Sequence, residues 1–291
     1  MTSENPVSRT AGTATKSELR STWEKAAPGW AKWENEFSAG LSAATNTLID
    51  MAGIRTGMRV LDLACGAGNQ TIHAARRVGP SGSVVACDIS ATMLDHVRQS
   101  AAAANLQNID TLESAAEDLG ERLPPFDAAI SRLGLMLFPS PGRALKALQR
   151  VLKPGARFAA LVFTTPDNNP FLARTMAIVL RCAGKSHPKP GQPGLFALGG
   201  NRILEGLMRD SGLVQIQTKV VAASLNLPSA SDALEMMREA FGAYRAVVAD
   251  LTDAEKSKAW NEVYECLKEF EGADGFRAQF ELIIGAGAKA A

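Results

Sequence analysis

The stretch that decides the fold is Val60 to Asn69, which reads VLDLACGAGN. A short apolar run leads straight into the turn Gly66-Ala67-Gly68, and a segment with helical periodicity follows at 70–78. Glycine at such a turn lets a ligand approach the backbone closely. The pattern is therefore typical of a strand, a ligand-binding loop and a helix.

Two kinds of adenosine-containing ligand suit such a loop, and the neighbouring residues discriminate between them. Thr71 stands where the dinucleotide fingerprint has a third Gly or Ala, which weakens an NAD interpretation. Asp62, at the strand end, would repel a pyrophosphate but attract an ammonium group. Asp88 ends the next apolar run, 20 residues after Gly68, and can accept hydrogen bonds from ribose hydroxyls. S-adenosylmethionine has both an adenosine and an α-amino group, so it is the ligand that we expect.

Outside the loop, short apolar runs alternate with amphipathic segments. Five runs are apolar on both faces, as strands of a covered parallel sheet are, and they lie at 60–63, 84–87, 109–112, 126–131 and 157–163. Two further strands are predicted at 214–221 and 276–284. The alternation predicts an α/β fold, with a doubly wound, mostly parallel, Rossmann-like sheet of seven strands and helices on both faces. We expect the last strand to be antiparallel.

We expect a flexible tail at 1–17 and one large domain at 18–291. Within this domain, the predicted parts are N-terminal cap helices (18–50), a cofactor-binding core (51–165), an acceptor-side loop with a helical lid (166–275), and a final strand with its tail (276–291). The lid comprises two amphipathic helices, one after Ser231 and one that begins with the capping box Thr252-x-x-Glu255. Helices inserted at this point could cover a pocket at the carboxyl ends of the strands, where open α/β sheets bind ligands.

Composition argues against several classes of partner. The chain has 291 residues, with Lys+Arg 31 and Asp+Glu 30, and its net charge of +1 gives no global field for nucleic acid or anionic lipid. No run is long enough to span a membrane and no secretory signal is visible, so we expect a cytoplasmic protein. The four cysteines lack the spacing of a metal or disulfide site. A homodimer is left open.

Four motifs, in order and at the expected spacing, resemble the class I S-adenosylmethionine-dependent methyltransferases, and among them the ubiquinone/menaquinone-biosynthesis C-methyltransferases. They are VLDLACGAGNQT, VVACDIS, FDAAISRLGLMLFPSP and RVLKPGARF. The resemblance covers residues 23 to 171 and continues more loosely to the end. It implies the fold and the cofactor, with S-adenosylhomocysteine as its product, and says little about the acceptor.

The resemblance also implies roles for individual residues. Backbone at Ala64, Gly66 and Gly68 would contact the methionyl part, and Asp62 would orient the ammonium group, directly or through water. Asp88 would bind the ribose. The remaining residues of the predicted cofactor site are Trp30, Cys65, Ile89, Met93, Ala115, Ala116, Glu117, Ser131, Arg132 and Leu133.

Two of these positions depart from the family pattern. The third motif reads Ala115-Ala116-Glu117 and lacks the usual acidic acceptor for the adenine amino group, so backbone at Ala116 and the Glu117 side chain would have to replace it. Ala64 replaces a common glycine, as Ala156 does in the last motif, and this is tolerable if φ stays negative.

For the acceptor side we predict Arg132, His187, Phe196, Phe241 and Tyr244. Arg132 directly follows the fourth strand, and His187 is the best histidine candidate for a base because it lies in the Pro/Gly-rich loop. Each has a structural alternative, such as ion pairing for Arg132 and core packing for the aromatic residues. No catalytic residue and no metal ligand is assigned.

The predicted function is methyl transfer from S-adenosylmethionine to a small, partly apolar molecule. One alternative is a methyltransferase-like fold that uses the bound cofactor for another reaction, such as a cyclisation. A protein or nucleic-acid methyltransferase is a second, although 131–134 read Ser-Arg-Leu-Gly where base N-methylation needs an Asn/Asp-Pro-Pro-aromatic tetrad. A non-catalytic adenosine-binding module is a third.

Overall fold

The structure is a computed structural model that describes residues 16–120, 123–189 and 191–291. The predicted tail at 1–17 lies outside the described residues except for Lys16 and Ser17, which begin the first helix. No helix in the described ranges is both long enough and apolar enough to cross a membrane.

One twisted sheet organises the chain. Its strands are β1 (Arg59–Leu63), β2 (Ser83–Asp88), β3 (Ile109–Glu113), β4 (Phe126–Arg132), β5 (Leu152–Phe163), β6 (Leu213–Leu227), β7 (Glu271–Gly272) and β8 (Gly275–Lys289). The order is β3-β2-β1-β4-β5-β8-β6, with the short β7 paired to β8. Strands β1 to β5 pair in parallel, whereas β8 is antiparallel to β5 and β6. The predicted fold class is confirmed, and the two-residue β7 is an addition to the seven expected strands.

Ten α-helices in the described residues surround this sheet. They are α1 (Lys16–Lys32), α2 (Glu34–Met51), α3 (Asn69–Val78), α4 (Ala91–Ala103), α5 (Pro141–Val151), α6 (Pro170–Cys182), α7 (Ile203–Asp210), α8 (Ala230–Ala240), α9 (Gly242–Val248) and α10 (Asp253–Leu267). Side chains cap the start of several of them, among them α10, whose capping box the sequence predicts. The Ser90 hydroxyl accepts from Met93 N at 3.1 Å to cap α4, and Thr252 and Glu255 form both hydrogen bonds of the capping box of α10.

The prediction of two helices between β6 and the last strand is wrong, because three helices occupy this segment. The expected continuous helix after Ser231 ends at Ala240, and Phe241 has φ −80° and ψ 85°. Gly242 then starts α9 against α1, where an added Cβ would lie 3.3 Å from the Trp23 ring. The break lets α9 follow the surface of α1 rather than leave it.

Two glycines set the position of the N-terminal helices. A Cβ at Gly29 would lie 2.3 Å from the carbonyl of Glu239, and one at Gly40 would lie 1.6 Å from the carbonyl oxygen of Ser224. The backbone of α1 therefore meets the end of α8, and the backbone of α2 meets β6, at distances that no side chain permits. These contacts place α1 and α2 beside the carboxyl ends of the central strands.

Candidate active site

A cavity of about 1010 Å³, part of it open to solvent, lies at the carboxyl ends of β1, β2 and β4 and beneath α1 and α2. Its floor is the loop between β1 and α3, from Ala64 to Gly68. One end is lined by Asp88, Met93 and residues 114–117, and the other by Glu34 and Arg132. The cavity thus forms a cleft at the place where open α/β sheets bind ligands.

Backbone in the left-handed region shapes the floor. Gly66 has φ 55° and Gly68, which begins α3, has φ 98°. Ala64 has φ 56° and Leu133, on the facing wall, has φ 61°. The sequence analysis requires a negative φ where alanine replaces the common glycine. Ala64 does not meet this requirement, whereas Ala156 is not among the positive-φ residues. Position 134, opposite Ala64, requires glycine, because a Cβ there would lie 2.6 Å from the Cβ of Ala64.

Asp88 joins the loop to the end of β2. Its Oδ2 accepts from Gly66 N and its Oδ1 from Ser90 N, both at 3.0 Å. Burial raises the pKa of the Asp88 carboxyl, and the backbone N–H groups of Ser90 and Gly66 act in the opposite direction. The carboxylate lines the cavity with acceptor capacity to spare, since each oxygen has two lone pairs.

Asp62 is placed differently from the prediction. It is fully buried, outside the cavity lining, and its carboxylate accepts from Thr71 Oγ1 at 2.6 Å and from Gln70 Nε2 at 3.3 Å. Burial raises the pKa of Asp62 to about 6, with both hydrogen bonds opposing the rise. Gln70, rather than Asp62, lines the cavity. The Gln70 side chain also donates to the Cys65 carbonyl at 2.9 Å. Asp62 therefore anchors the start of α3 from behind the loop.

Arg132 and Glu34 form the charged end of the cleft. Arg132 Nη1 donates to Thr45 Oγ1 at 3.1 Å and to Asn69 Oδ1 at 3.0 Å, which fixes the guanidinium at the end of β4. Burial lowers the pKa of Arg132 to about 10, while Asp62 and Glu34 act in the opposite direction. Burial raises the pKa of Glu34, opposed by the Arg132 charge and by the backbone N–H of Asn69.

The opposite end of the cleft combines apolar side chains with the Asp88 and Glu117 carboxylates. Ile89 and Met93 lie on one side, and the segment from Ser114 to Glu117 on the other. Glu117 Oε1 accepts from Ser140 N at 3.2 Å, which ties its carboxylate to the start of α5. Cys65 is also in the lining, but burial raises the pKa of its thiol well above the usual value, so it stays neutral.

Helix α1 covers the cleft with Leu19, Trp23 and Trp30. Glu24, on the same helix, accepts from Ala91 N at 2.7 Å and also bonds Thr92, so its carboxylate caps the start of α4. The Trp30 indole Nε1 is buried and has no hydrogen-bond partner among the described residues. An unpaired donor beside the cleft suits a polar ligand atom.

The acceptor-side residues predicted from 166–275 do not reach this cleft, and no described residue of that range lines it. Tyr244 is fully buried, donates to the Leu172 carbonyl and lies 2.9 Å from the Thr175 hydroxyl, so it belongs to the core. Phe241 packs behind Trp30 with ring centroids 6.1 Å apart. His187 is exposed, and Phe196 packs on Phe163 at 6.5 Å. Helices α8 and α9 support α1, and α1 covers the ligand space itself.

Ser131 is also outside the lining, fully buried at the end of β4. The remaining residues predicted for the cofactor lie along the cleft: Trp30, Ala64, Cys65, Gly66, Gly68, Asp88, Ile89, Met93, Ala115, Ala116, Glu117, Arg132 and Leu133. No group of three or more His, Cys, Asp or Glu in the described ranges is arranged to hold a metal ion.

Several lining residues were not found from the sequence. Glu34, Phe37 and Ser38 come from the first turns of α2, and Leu137 and Phe138 follow β4. An acidic residue at a helix start is ordinarily explained by the helix dipole, so Glu34 carried no distinct signal. Gln70, directly after the glycine loop, could have been identified by its position.

The cleft suits an adenosyl amino acid. It offers an apolar slot at Ile89 and Met93, a carboxylate at Asp88, backbone at Ala64, Gly66 and Gly68, and opposite charges at its far end. No pyrophosphate cradle with a third glycine is present at Thr71, which is buried against Asp62. The fold and the cleft together define a methyltransferase of the Rossmann-like class.

Comparison with known proteins agrees with this class. The ubiE/COQ5 methyltransferase family matches residues 43–179. A 2-phytyl-1,4-naphtoquinone methyltransferase of Trichormus variabilis is 35% identical over 156 residues, which are 53% of this chain and 68% of that protein. The ubiquinone/menaquinone biosynthesis C-methyltransferase UbiE of Hahella chejuensis is 40% identical over 121 residues, 41% of this chain and 49% of the relative.

Among solved structures, phosphoethanolamine N-methyltransferase 2 of Haemonchus contortus, in complex with S-adenosylhomocysteine, superposes with a TM-score of 0.59 at 15% identity. The match covers 96% of this chain and 61% of that one, and it supports the fold. The chain belongs to the ubiE/COQ5 methyltransferase family. It is an S-adenosylmethionine-dependent methyltransferase that acts on a small, partly apolar molecule.

Proposed function

We propose that the cleft binds S-adenosylmethionine with its adenosine at Asp88 and Met93, and that the enzyme methylates a ring carbon of a phenol or hydroquinone that carries an apolar substituent. The observation that carries the proposal is the continuity of the cleft. One cavity leads from the Asp88 end, across Gly66 and Gly68, to the end formed by Glu34 and Arg132.

The cofactor assignment rests on complementarity at both ends of the cleft. Asp88 presents carboxylate oxygens for ribose hydroxyls, and charge-assisted hydrogen bonds of this kind are about twice as strong as neutral ones. Ile89 and Met93 offer flat apolar contact for adenine. Arg132, fixed by Thr45 and Asn69, provides a cation for the carboxylate of the methionyl part.

The acceptor assignment rests on the cavity walls and on the relatives. Trp30, Phe37, Leu133 and Phe138 give the charged end of the cleft an apolar surround. The relatives in Trichormus variabilis and Hahella chejuensis are named for a phytyl naphthoquinone and for C-methylation in quinone biosynthesis. A naphthalene ring with an alkyl chain fits such walls better than a hydrophilic amine would.

The chain's own residues would act mainly by positioning and by excluding water. When bound, the cofactor supplies a methyl group on a positively charged sulfur. Leu19, Trp23 and Trp30 cover the cleft from α1, which keeps water away from the reacting atoms. The rigid floor at Ala64 to Gly68 holds one reactant and the β4 wall orients the other, and such alignment lowers a barrier by several kcal/mol.

The experiment is transfer of a labelled methyl group from S-adenosylmethionine to chemically reduced 2-phytyl-1,4-naphthoquinone, with the methylated atom located by mass spectrometry. We expect label on a ring carbon and none with a nucleic-acid or protein substrate. Asp88→Ala should weaken cofactor affinity by about 2–4 kcal/mol through the lost ribose contacts, and Asp95→Ala, on the exposed side of α4, should not. Label on nitrogen or oxygen alone, or unchanged affinity in Asp88→Ala, would count against the proposal.

A further inference from the structure

Five titratable side chains of the described residues line the cleft: Glu34, Cys65, Asp88, Glu117 and Arg132. Three of them are already engaged. Asp88 accepts from two backbone N–H groups, Glu117 accepts from Ser140 N, and Cys65 is only 1% exposed with a thiol that stays protonated. Glu34 also accepts a hydrogen bond, from the backbone N–H of Asn69, but it lies at the Arg132 end of the cleft rather than at the end proposed for the adenosine. Its remaining oxygen lone pairs can exchange a proton with a bound molecule.

We propose that Glu34 is the general base of this enzyme, and that it takes the hydroxyl proton of a phenolic acceptor. The inference rests on the proposed function, because it needs a phenol or hydroquinone in the cleft. In the proton-transfer step the acceptor O–H bond breaks and a bond from hydrogen to the Glu34 carboxylate forms. The electron pair stays on the acceptor oxygen and makes the neighbouring ring carbon nucleophilic.

The place of Glu34 in the fold suits this role. It is the first residue of α2 and lines the cleft with Trp30, Phe37 and Ser38, at the end that it forms with Arg132. A general base must meet the acceptor rather than the adenosine, and this end has the apolar walls. The backbone N–H of Asn69 and the position at a helix start hold the carboxylate in place.

Burial and the neighbouring charges act on the pKa of Glu34 in opposite directions. Burial raises the pKa of Glu34, and Arg132, from β4, limits the rise. Asp62 on β1 and His73 on α3 also respond to Arg132, and burial lowers the pKa of His73 so that it stays neutral. A carboxylate base works when ionised, so activity should be lost as pH falls through the raised pKa of Glu34.

Glu34 could instead hold the ammonium group of the cofactor's amino-acid part. The two roles make different predictions for 5′-methylthioadenosine, which lacks that part. If Glu34 only held the cofactor, Glu34→Gln would weaken S-adenosylhomocysteine binding and leave 5′-methylthioadenosine binding unchanged. A general base would change neither affinity.

The test uses the full chain with Glu34→Gln, and Glu36→Gln as a matched control, since Glu36 lies exposed in the same helical turn. Because the folded state raises the pKa of Glu34, its ionised form contributes no stability at neutral pH, and we expect the variant to fold. Calorimetry with S-adenosylhomocysteine and 5′-methylthioadenosine should give affinities within about threefold of the parent for both variants.

Kinetics then separate the base from other roles. With a weakly acidic phenol or hydroquinone, Glu34→Gln should lower kcat/KM about 10²- to 10⁴-fold and remove the acidic limb of the pH profile. With a nitro-substituted naphthol, which is already ionised at the assay pH, the loss should be under about fivefold. Glu36→Gln should match the parent throughout.

Three results would overturn the inference: equal losses with both acceptors, no loss with either, or selective loss of S-adenosylhomocysteine affinity. If the parent protein binds S-adenosylhomocysteine but methylates no phenol or hydroquinone, the proposed acceptor class fails first and the inference falls with it. The failure of the base alone is recognised by an active parent and an equally active Glu34→Gln.

Discussion

Two residues on facing walls of the cleft, Ala64 and Leu133, have left-handed backbone although neither is glycine. For an L-residue with a Cβ this conformation costs about 1–2 kcal/mol, and such strain concentrates at functional sites. The two strained residues end β1 and β4, where the backbone must turn to line the cleft. The backbone strain is thus located where the chain shapes the ligand site.

Ala64→Gly should stabilise the protein by about 0.5–1 kcal/mol, because relief of the left-handed strain exceeds the extra entropy that glycine loses on folding. Denaturant unfolding would measure the change. Ala67→Gly, in the same loop but with ordinary φ, is the control and should destabilise by about 0.5–1 kcal/mol. Equal destabilisation by both substitutions would contradict the assignment of strain to Ala64.

At the scale of single residues, the sequence could indicate Asp88 but not the true position of Asp62. Both acids end apolar strands beside the glycine loop, and local pattern treats them alike. The difference arises from Thr71 and Gln70, which meet the Asp62 carboxylate only once α3 has packed behind the loop. Glu34 has no local signature either, because its neighbours in space come from β4 and α3.

At the scale of elements, the sequence predicts two helices that line an acceptor pocket, whereas α8 and α9 support α1 from behind and α10 packs on α6 and α8. Tyr244 on α9 shows the reason. Its ring is buried, and its hydroxyl donates to the Leu172 carbonyl at 2.9 Å, so it joins α9 to α6. An apolar stripe on an inserted helix predicts burial, but it does not indicate which surface provides the burial.

Tyr244→Phe should cost about 1–3 kcal/mol of unfolding free energy, because the Leu172 carbonyl and the Thr175 hydroxyl lose a buried partner. Cofactor affinity should stay within about threefold. Tyr264→Phe, on the half-exposed face of α10, should change stability by less than about 0.5 kcal/mol. An altered acceptor preference in Tyr244→Phe, with stability unchanged, would contradict the core role and support the sequence-based prediction that Tyr244 lines the acceptor site.

At the scale of the whole molecule, the α/β class and the mostly parallel sheet followed from the sequence, because buried parallel strands and amphipathic helices have distinct periods. The positions of α1 and α2 did not. They depend on backbone contacts of Gly29 with Glu239 and of Gly40 with Ser224, between segments about 200 residues apart. These long-range contacts bring Trp30 and Glu34 over the cleft, and local patterns do not encode them.

The most direct test of the account is titration calorimetry of the whole chain with S-adenosylhomocysteine and, separately, with NAD. The cleft around Asp88 and the Gly66-Ala67-Gly68 loop predicts saturable binding of S-adenosylhomocysteine at one site per chain and no binding heat with NAD. Saturable binding of NAD, with no response to S-adenosylhomocysteine, would contradict the assignment of the cleft.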